Sequence, residues 1–528
     1  MFKFGHSSIF IFWLLVVGCQ WDVGTLEIRT VYSAVEGEKP FDPDQVDRIR
    51  VRVEGLGSGP REAEVALGEV LRVDAVPVGE TVRVVIEGLG NFRTVSRGVT
   101  LPFEVQEGSN SVFVFTSQVG TSSEPPNVTS SKYPDWQERY RISMRSSRAF
   151  HQATVLEDGL VLVSGGVEEM DAADYLLRLS PGQGLRLAER FDPSAGAFLL
   201  DDPGDGCSAR LCLASGRAHH QMVALPSLSV VLVVGGEPMA SDADLSIESY
   251  ASSTMRFQAA LALNTPRSRH AMTALEENPH LLLVAGGLGR TGELLDSVEL
   301  IDAEQGSVAE VGQLAVPRVG AMAVACGGAV LVMGGWEAFG TDGEGTVVRS
   351  PSDRIERVIV DHGVASVQAR NPLTMPRAEA TATLLADGKH VLICGGVVAA
   401  EGLDVEATAS CDRVACSSDE VIATDFEMRS PRWAHRATLL PEGAEGFSGP
   451  EGLVLVTGGF YPGLSPAAYR SAEVINPAKD GSSRSRPSLK RARAGHSATL
   501  MPNGMVLILG GGSGLGDMPG LDYEIYNP

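Results

Sequence analysis

The sequence has no run of about 18 or more apolar residues, so no helix able to cross a bilayer is expected. Positive charge is also scarce: 43 Lys and Arg face 66 Asp and Glu, giving a net charge of −23 and a pI near 4.9. Nucleic-acid binding depends on neutralising phosphates with basic side chains, so no nucleic-acid partner is expected, and the acidity reads as a solubility feature. Helical periodicity is missing. Neither G-x-S-x-G nor H-E-x-x-H occurs, which removes two hydrolytic signatures. No Cys pair lies near His at a zinc spacing, and neither a metal nor a cofactor is expected.

What is present favours strands and turns. Sixty Gly and 29 Pro are spread without a collagen-like period, and 44% hydrophobic residues allow a substantial core. A chain of 528 residues exceeds what one core usually serves, so several domains or a repeat array with an appendage are expected.

Residues 1–18 carry Lys3 and a short apolar core, Ile9 to Val17, followed by Gly18 and Cys19. This resembles a bacterial lipoprotein signal peptide, which implies lipidation at Cys19 and an anchor segment over 19–23. Gln20 stands where inner-membrane retention would favour Asp, so the expectation is an outer-membrane lipoprotein, periplasmic or surface-exposed, held by its lipid alone. Among the other cysteines, Cys207 with Cys212 and Cys411 with Cys416 share a spacing of five and are the disulfide candidates, as suits an oxidising compartment. Cys326 and Cys394 lie in apolar strand patterns and read as buried free thiols.

Residues 24–116 alternate like half-buried strands in about seven runs, which predicts a small antiparallel β-sandwich, immunoglobulin-like or transthyretin-like, serving as a spacer or a carbohydrate contact. Residues 117–134, rich in Ser, Thr and Pro, read as a linker.

From 135 to 528 a unit recurs. Seven openings carry an Arg, at 148, 217, 267, 318, 377, 432 and 493, and the third residue after it is His in five units and Ala321 and Ala380 in the others. An apolar strand follows, then turns such as Asp158-Gly159 and Asn503-Gly504 that tolerate positive φ, then a nearly all-apolar strand ending in a Gly-Gly pair. A third strand and a less regular fourth complete each unit, the pattern of a seven-bladed β-propeller. The last unit stops after its third strand, and residues 138–145 are placed to supply the missing one.

These Gly-Gly strands resemble the kelch repeat, although Tyr and Trp typical of that family are mostly replaced. The resemblance implies an all-β, kelch-type propeller of the galactose oxidase central-domain kind, without the copper site. Here the His recur at one blade position, spread around a ring. It also implies that the loops leading into the first strands lie on a face often used for ligands. The seven Arg are therefore candidate binding residues, forming a positive collar; the alternative is that each pairs with a carboxylate or carbonyl of a neighbouring blade. The recurrent His read as structural. Trp336, Phe460 and Tyr461, just after Gly-Gly pairs, are candidate exposed aromatics. Asp201, Asp202 and Asp205 form an acidic turn that reads as solvated rather than calcium-binding. The expected function is non-enzymatic binding of a protein or glycan at the cell envelope, the alternative a carbohydrate-active envelope enzyme.

Overall fold

The computed structural model describes residues 23–528 other than 34, 36–37, 92, 127–133, 171–183, 201–210, 238–245, 342–346, 402–403, 445–446, 448, 464–466, 479–481, 487 and 515–517. The signal segment, Cys19, Cys207 and the acidic turn at Asp201, Asp202 and Asp205 lie outside the described residues. The chain is nearly all β, built of many small, mostly antiparallel sheets.

The first module follows its sequence pattern. In Arg48–Glu54 the side chains of Ile49, Val51 and Val53 are buried while Arg50 and Arg52 face outward. One sheet joins Arg61–Ala66, Arg48–Glu54, Thr81–Gly90, Arg93–Val99 and Ser117–Gln118; the other joins Arg72–Pro77, Val23–Val31 and Gly108–Phe115. Leu26, Val51, Val84, Ile86 and Val114 lie in the core of this module. The pairing of Val23–Val31 with Gly108–Phe115 is parallel, a departure from the antiparallel expectation.

Each later unit is a sheet in which the strand after the Arg pairs with the strand that ends in Gly-Gly, and that strand with the third. In the third unit these are Ala271–Ala274, Leu281–Ala285 and Ser297–Asp302, with Ser307–Gln313 as the fourth. The middle strand is buried throughout because apolar side chains cover both faces: Leu282, Leu283 and Val284 have no exposed surface.

The last unit corrects two expectations. Its edge strand is Thr121–Ser123, which pairs with Tyr523–Asn527, whereas Tyr140–Arg141 from the 138–145 stretch pairs with Ala197–Leu199 in the first unit. Residues 117–134 are thus not a free linker: Ser117–Gln118 and Thr121–Ser123 are strands, and the Ser122 hydroxyl donates to buried Glu524 at 2.8 Å. Val31, Phe113 and Phe115 of the first module share a core with Phe191, Phe198 and Tyr523, so the module is seated on the first and last units.

The cysteines also differ from expectation. Cys326 pairs with Cys416, linking the fourth and fifth units, and Cys394 pairs with the directly opposite Cys411, with Cα separations of 5.4 and 4.2 Å. Cys411 and Cys416 cannot pair with each other, because a strand rising about 3.3 Å per residue holds them about 16 Å apart. Cys212 is disulfide-bonded. Replacing Cys326 and Cys416 by serine is expected to lower stability by about 2–4 kcal/mol in chemical denaturation, since that bridge closes a long loop.

Candidate functional site

The seven Arg do not form a collar. All are buried, 0–3% exposed, and each is consumed inside its own unit. Nη1 donates to the carbonyl of the first Gly of the pair: Arg148 to Gly165, Arg217 to Gly235, Arg267 to Gly286, and so on to Arg493 and Gly510, at 2.7–3.3 Å. The guanidinium also pairs with a third-strand carboxylate: Glu189, Glu248, Glu299, Glu356, Asp412, Glu473 or Glu524. Each carboxylate additionally accepts the backbone N–H of the residue three before the Arg, as Glu248 does from Ala214 at 2.7 Å and Asp412 from Thr374 at 3.0 Å. Burial lowers the pKa of several of these guanidiniums, that of Arg318 to about 10, so they stay charged at neutral pH.

The second Gly of each pair reaches the next unit. Its N–H donates to the carbonyl of the following Arg: Gly166 to Arg217, Gly236 to Arg267, Gly287 to Arg318, Gly335 to Arg377, Gly396 to Arg432, Gly459 to Arg493, and Gly511 back to Arg148, at 2.8–3.0 Å. A Cβ on Gly165 would stand 2.3 Å from the Arg217 carbonyl oxygen, and φ there is +65°, so only glycine fits.

The recurrent His are buried, and four of the five bond to hydroxyls of the preceding unit: His151 to Ser497, His220 to Ser164, His435 to Thr381 and His496 to Thr457, at 2.9–3.1 Å. Burial, reinforced by neighbouring Arg, drives their pKa well below the ordinary value, and that of His270 to about 3. These imidazoles are neutral.

The position between the Arg and the His was not singled out by its sequence, because it does not repeat. Two residues after each Arg stand Phe150, His219, Arg269, Gly320, Glu379, Ala434 and Gly495. All seven have positive φ, with the five non-glycine residues between 49° and 55°. Left-handed backbone costs a non-glycine residue about 1–2 kcal/mol, and such residues concentrate where function holds them. Backbone N–H groups link them head to tail: His219 to Phe150, Arg269 to His219, Gly320 to Arg269, Ala434 to Glu379, and Phe150 to Gly495, at 2.8–3.1 Å. Together with Gln152, Gln221, His270 and Arg436 they line a cavity of about 190 Å³. Phe150 stacks on His219 at 4.5 Å, and Arg269 donates to fully buried Glu237 at 2.9 Å.

Of the loop aromatics, Tyr461 is 41% exposed, whereas Trp336 and Phe460 are buried. Each continues from its Gly pair into a single bridge with the residue after the Arg, Trp336 with Val319 and Phe460 with Trp433, which turns the ring into an apolar cluster shared with Phe150 and Ala434. At this end two extra hairpins, Trp336–Thr341 with Val347–Pro351 and Val397–Glu401 with Asp404–Ala407, lie side by side. A groove between the second hairpin and Pro462–Gly463 adjoins Tyr461.

No family model matches this sequence, and no curated protein matches it either.

Proposed function

We propose that the chain is a lipid-anchored envelope protein whose units close into a seven-bladed, kelch-type β-propeller that binds a protein or glycan, without turnover, through the loops at its Gly-Gly end. Closure is supported by the cyclic order in which each second Gly donates to the next Arg carbonyl, the seventh to the first. Buried disulfides suit an oxidising compartment, in line with export and anchoring at Cys19 to the outer membrane.

The observation that carries the binding reading is where the individuality of the units lies. The repeated Arg, and the repeated His other than His270, are spent on internal contacts, while the two paired hairpins and the exposed Tyr461 are unlike anything among the described residues of the other units and stand together. A photo-crosslinking residue in place of Tyr461, used in native envelopes, is expected to capture one enriched protein or glycan, and the same residue in place of Val364, 66% exposed at the start of the strand Val364–Ala369, is not. Equal capture at both positions, or turnover of a sugar substrate, defeats the reading. Cys19→Ala should move the protein from the membrane fraction to the soluble one; retention in membranes defeats the anchor.

A further inference from the structure

The groove beside Tyr461, about 510 Å³ in volume, is held open by contacts on both sides. One wall is the hairpin of Val397–Glu401 with Asp404–Ala407, the other Pro462–Gly463, and the Gly463 N–H donates to the Val405 carbonyl at 2.9 Å, tying the two together. Val405 is buried in the central apolar cluster, which fixes the hairpin from below. The loop wall is fixed by the Trp433 indole, which donates to the Tyr461 carbonyl at 3.1 Å. Between the walls the surface is made of small apolar groups: Ala399, Ala400, Pro462 and Gly463. Asp404 and Glu406 supply the charge. Both are exposed, and neither makes an ion pair or a side-chain hydrogen bond among the described residues. They alternate with buried Val405 on one strand, so they share its outward face about 6.6 Å apart. Among the described residues no Lys, Arg or His lines the groove, and no side-chain hydroxyl or amide does.

Given that the loops at the Gly-Gly end are the binding surface, we propose that this groove takes an extended segment of a partner protein with Lys or Arg at alternate positions. Alternate side chains of an extended chain repeat at the same spacing of about 6.6 Å, so two cations two residues apart meet Asp404 and Glu406 together. Their methylene stems lie on Ala399, Ala400 and Pro462, and the exposed Tyr461 ring offers its face to a further cation. An acidic segment would be repelled by both carboxylates. A glycan would find two acceptors and no donor side chain in the lining.

The probe is a fluorescein-labelled octapeptide of alternating lysine and alanine, titrated with the full chain in detergent at physiological ionic strength and read by fluorescence anisotropy. Peptides with glutamate or serine in place of lysine, and chitin tetrasaccharide as a competitor, are the comparisons. The lysine peptide should saturate one site per chain, and the other two peptides should not. Asp404→Asn combined with Glu406→Gln should weaken it at least about five-fold, the loss of two exposed charge pairs, with an unchanged unfolding midpoint. Glu304→Gln combined with Asp361→Asn removes the same charge from side chains 62% and 81% exposed, at the turns after the third strands of two other units, and should change binding by less than about two-fold. The proposal is overturned if the lysine peptide does not saturate, if the serine peptide or the tetrasaccharide binds as tightly, or if the two double variants weaken binding equally. The photo-crosslinker at Tyr461 reads the loop surface whatever the charge of its partner, so capture there without peptide binding overturns the basic segment alone and leaves the loop surface standing.

Discussion

Replacing Arg267 by methionine is expected to destabilise the protein by about 3–5 kcal/mol, because it leaves Glu299 buried without its partner. The consequence goes beyond one ion pair. Arg267 also satisfies the Gly286 carbonyl at 2.9 Å, and Glu299 accepts the backbone N–H groups of Asn264 and Thr265 at 2.8 and 3.1 Å. One guanidinium thus ties the second strand, the third strand and the segment leading into the first. Changing Glu299 to leucine as well should recover part of the loss, since two apolar groups need no counter-charge, though the two N–H groups stay unpaired. Equilibrium denaturation of the parent, both single variants and the double variant measures the coupling. A loss below about 0.5 kcal/mol for Arg267→Met, the usual cost at an exposed ion pair, would restore the collar reading in which this Arg faces a ligand.

The fold was legible in the sequence wherever its cause is local. Gly-Gly pairs, hairpin turns and all-apolar middle strands each follow from backbone conformation or two-sided burial within a few residues, and the structure places all of them as expected. The partner of each Arg was half-legible: a carboxylate and a carbonyl were anticipated, but in the neighbouring unit rather than in the same one. Thr121–Ser123 could not be read as a strand, because three small polar residues carry no periodicity and are ordered only by pairing with Tyr523–Asn527. Nor could the disulfides, since Cys326 and Cys416 are 90 residues apart in sequence and meet only through the packing of two units.

The cavity residues were missed for a different reason. Attention to repetition finds what every unit shares, and what every unit shares here is structural. Phe150, His219, Arg269 and Glu379 occupy one position with four chemistries, between an Arg present in every unit and a frequent His. Where the units bring this position together around one cavity, variation amid repetition was the available signal. Trp336 and Phe460 show the converse: by context they follow a Gly pair and open a loop, yet the first residue of that loop still belongs to the buried cluster.

Acidification is expected to unfold the protein at a pH where its carboxylates are still ionised. His151, His220, His270, His435 and His496 are buried and His219 is largely covered, and desolvation holds each folded-state pKa below the ordinary value. The unfolded chain therefore binds protons that the folded one refuses as pH falls through about 6.5, so their contribution is fully present above that value and is lost below it. Each group costs up to about 1.4 kcal/mol per pH unit in this window, and six acting together approach the whole stability of an ordinary domain within one to two units. Asp192, whose pKa burial raises, works in the opposite direction, but it is a single group. Stability measured by denaturation from pH 8 to pH 5 should be flat down to about 6.5 and then fall with a slope approaching six protons. His270→Leu should reduce that slope by about one proton without removing a hydroxyl contact, since His270 makes none among the described residues. A flat profile down to pH 5 would mean that these imidazoles are hydrated in the folded protein, and with that the buried inter-unit packing around each Arg-to-His segment would have to be abandoned.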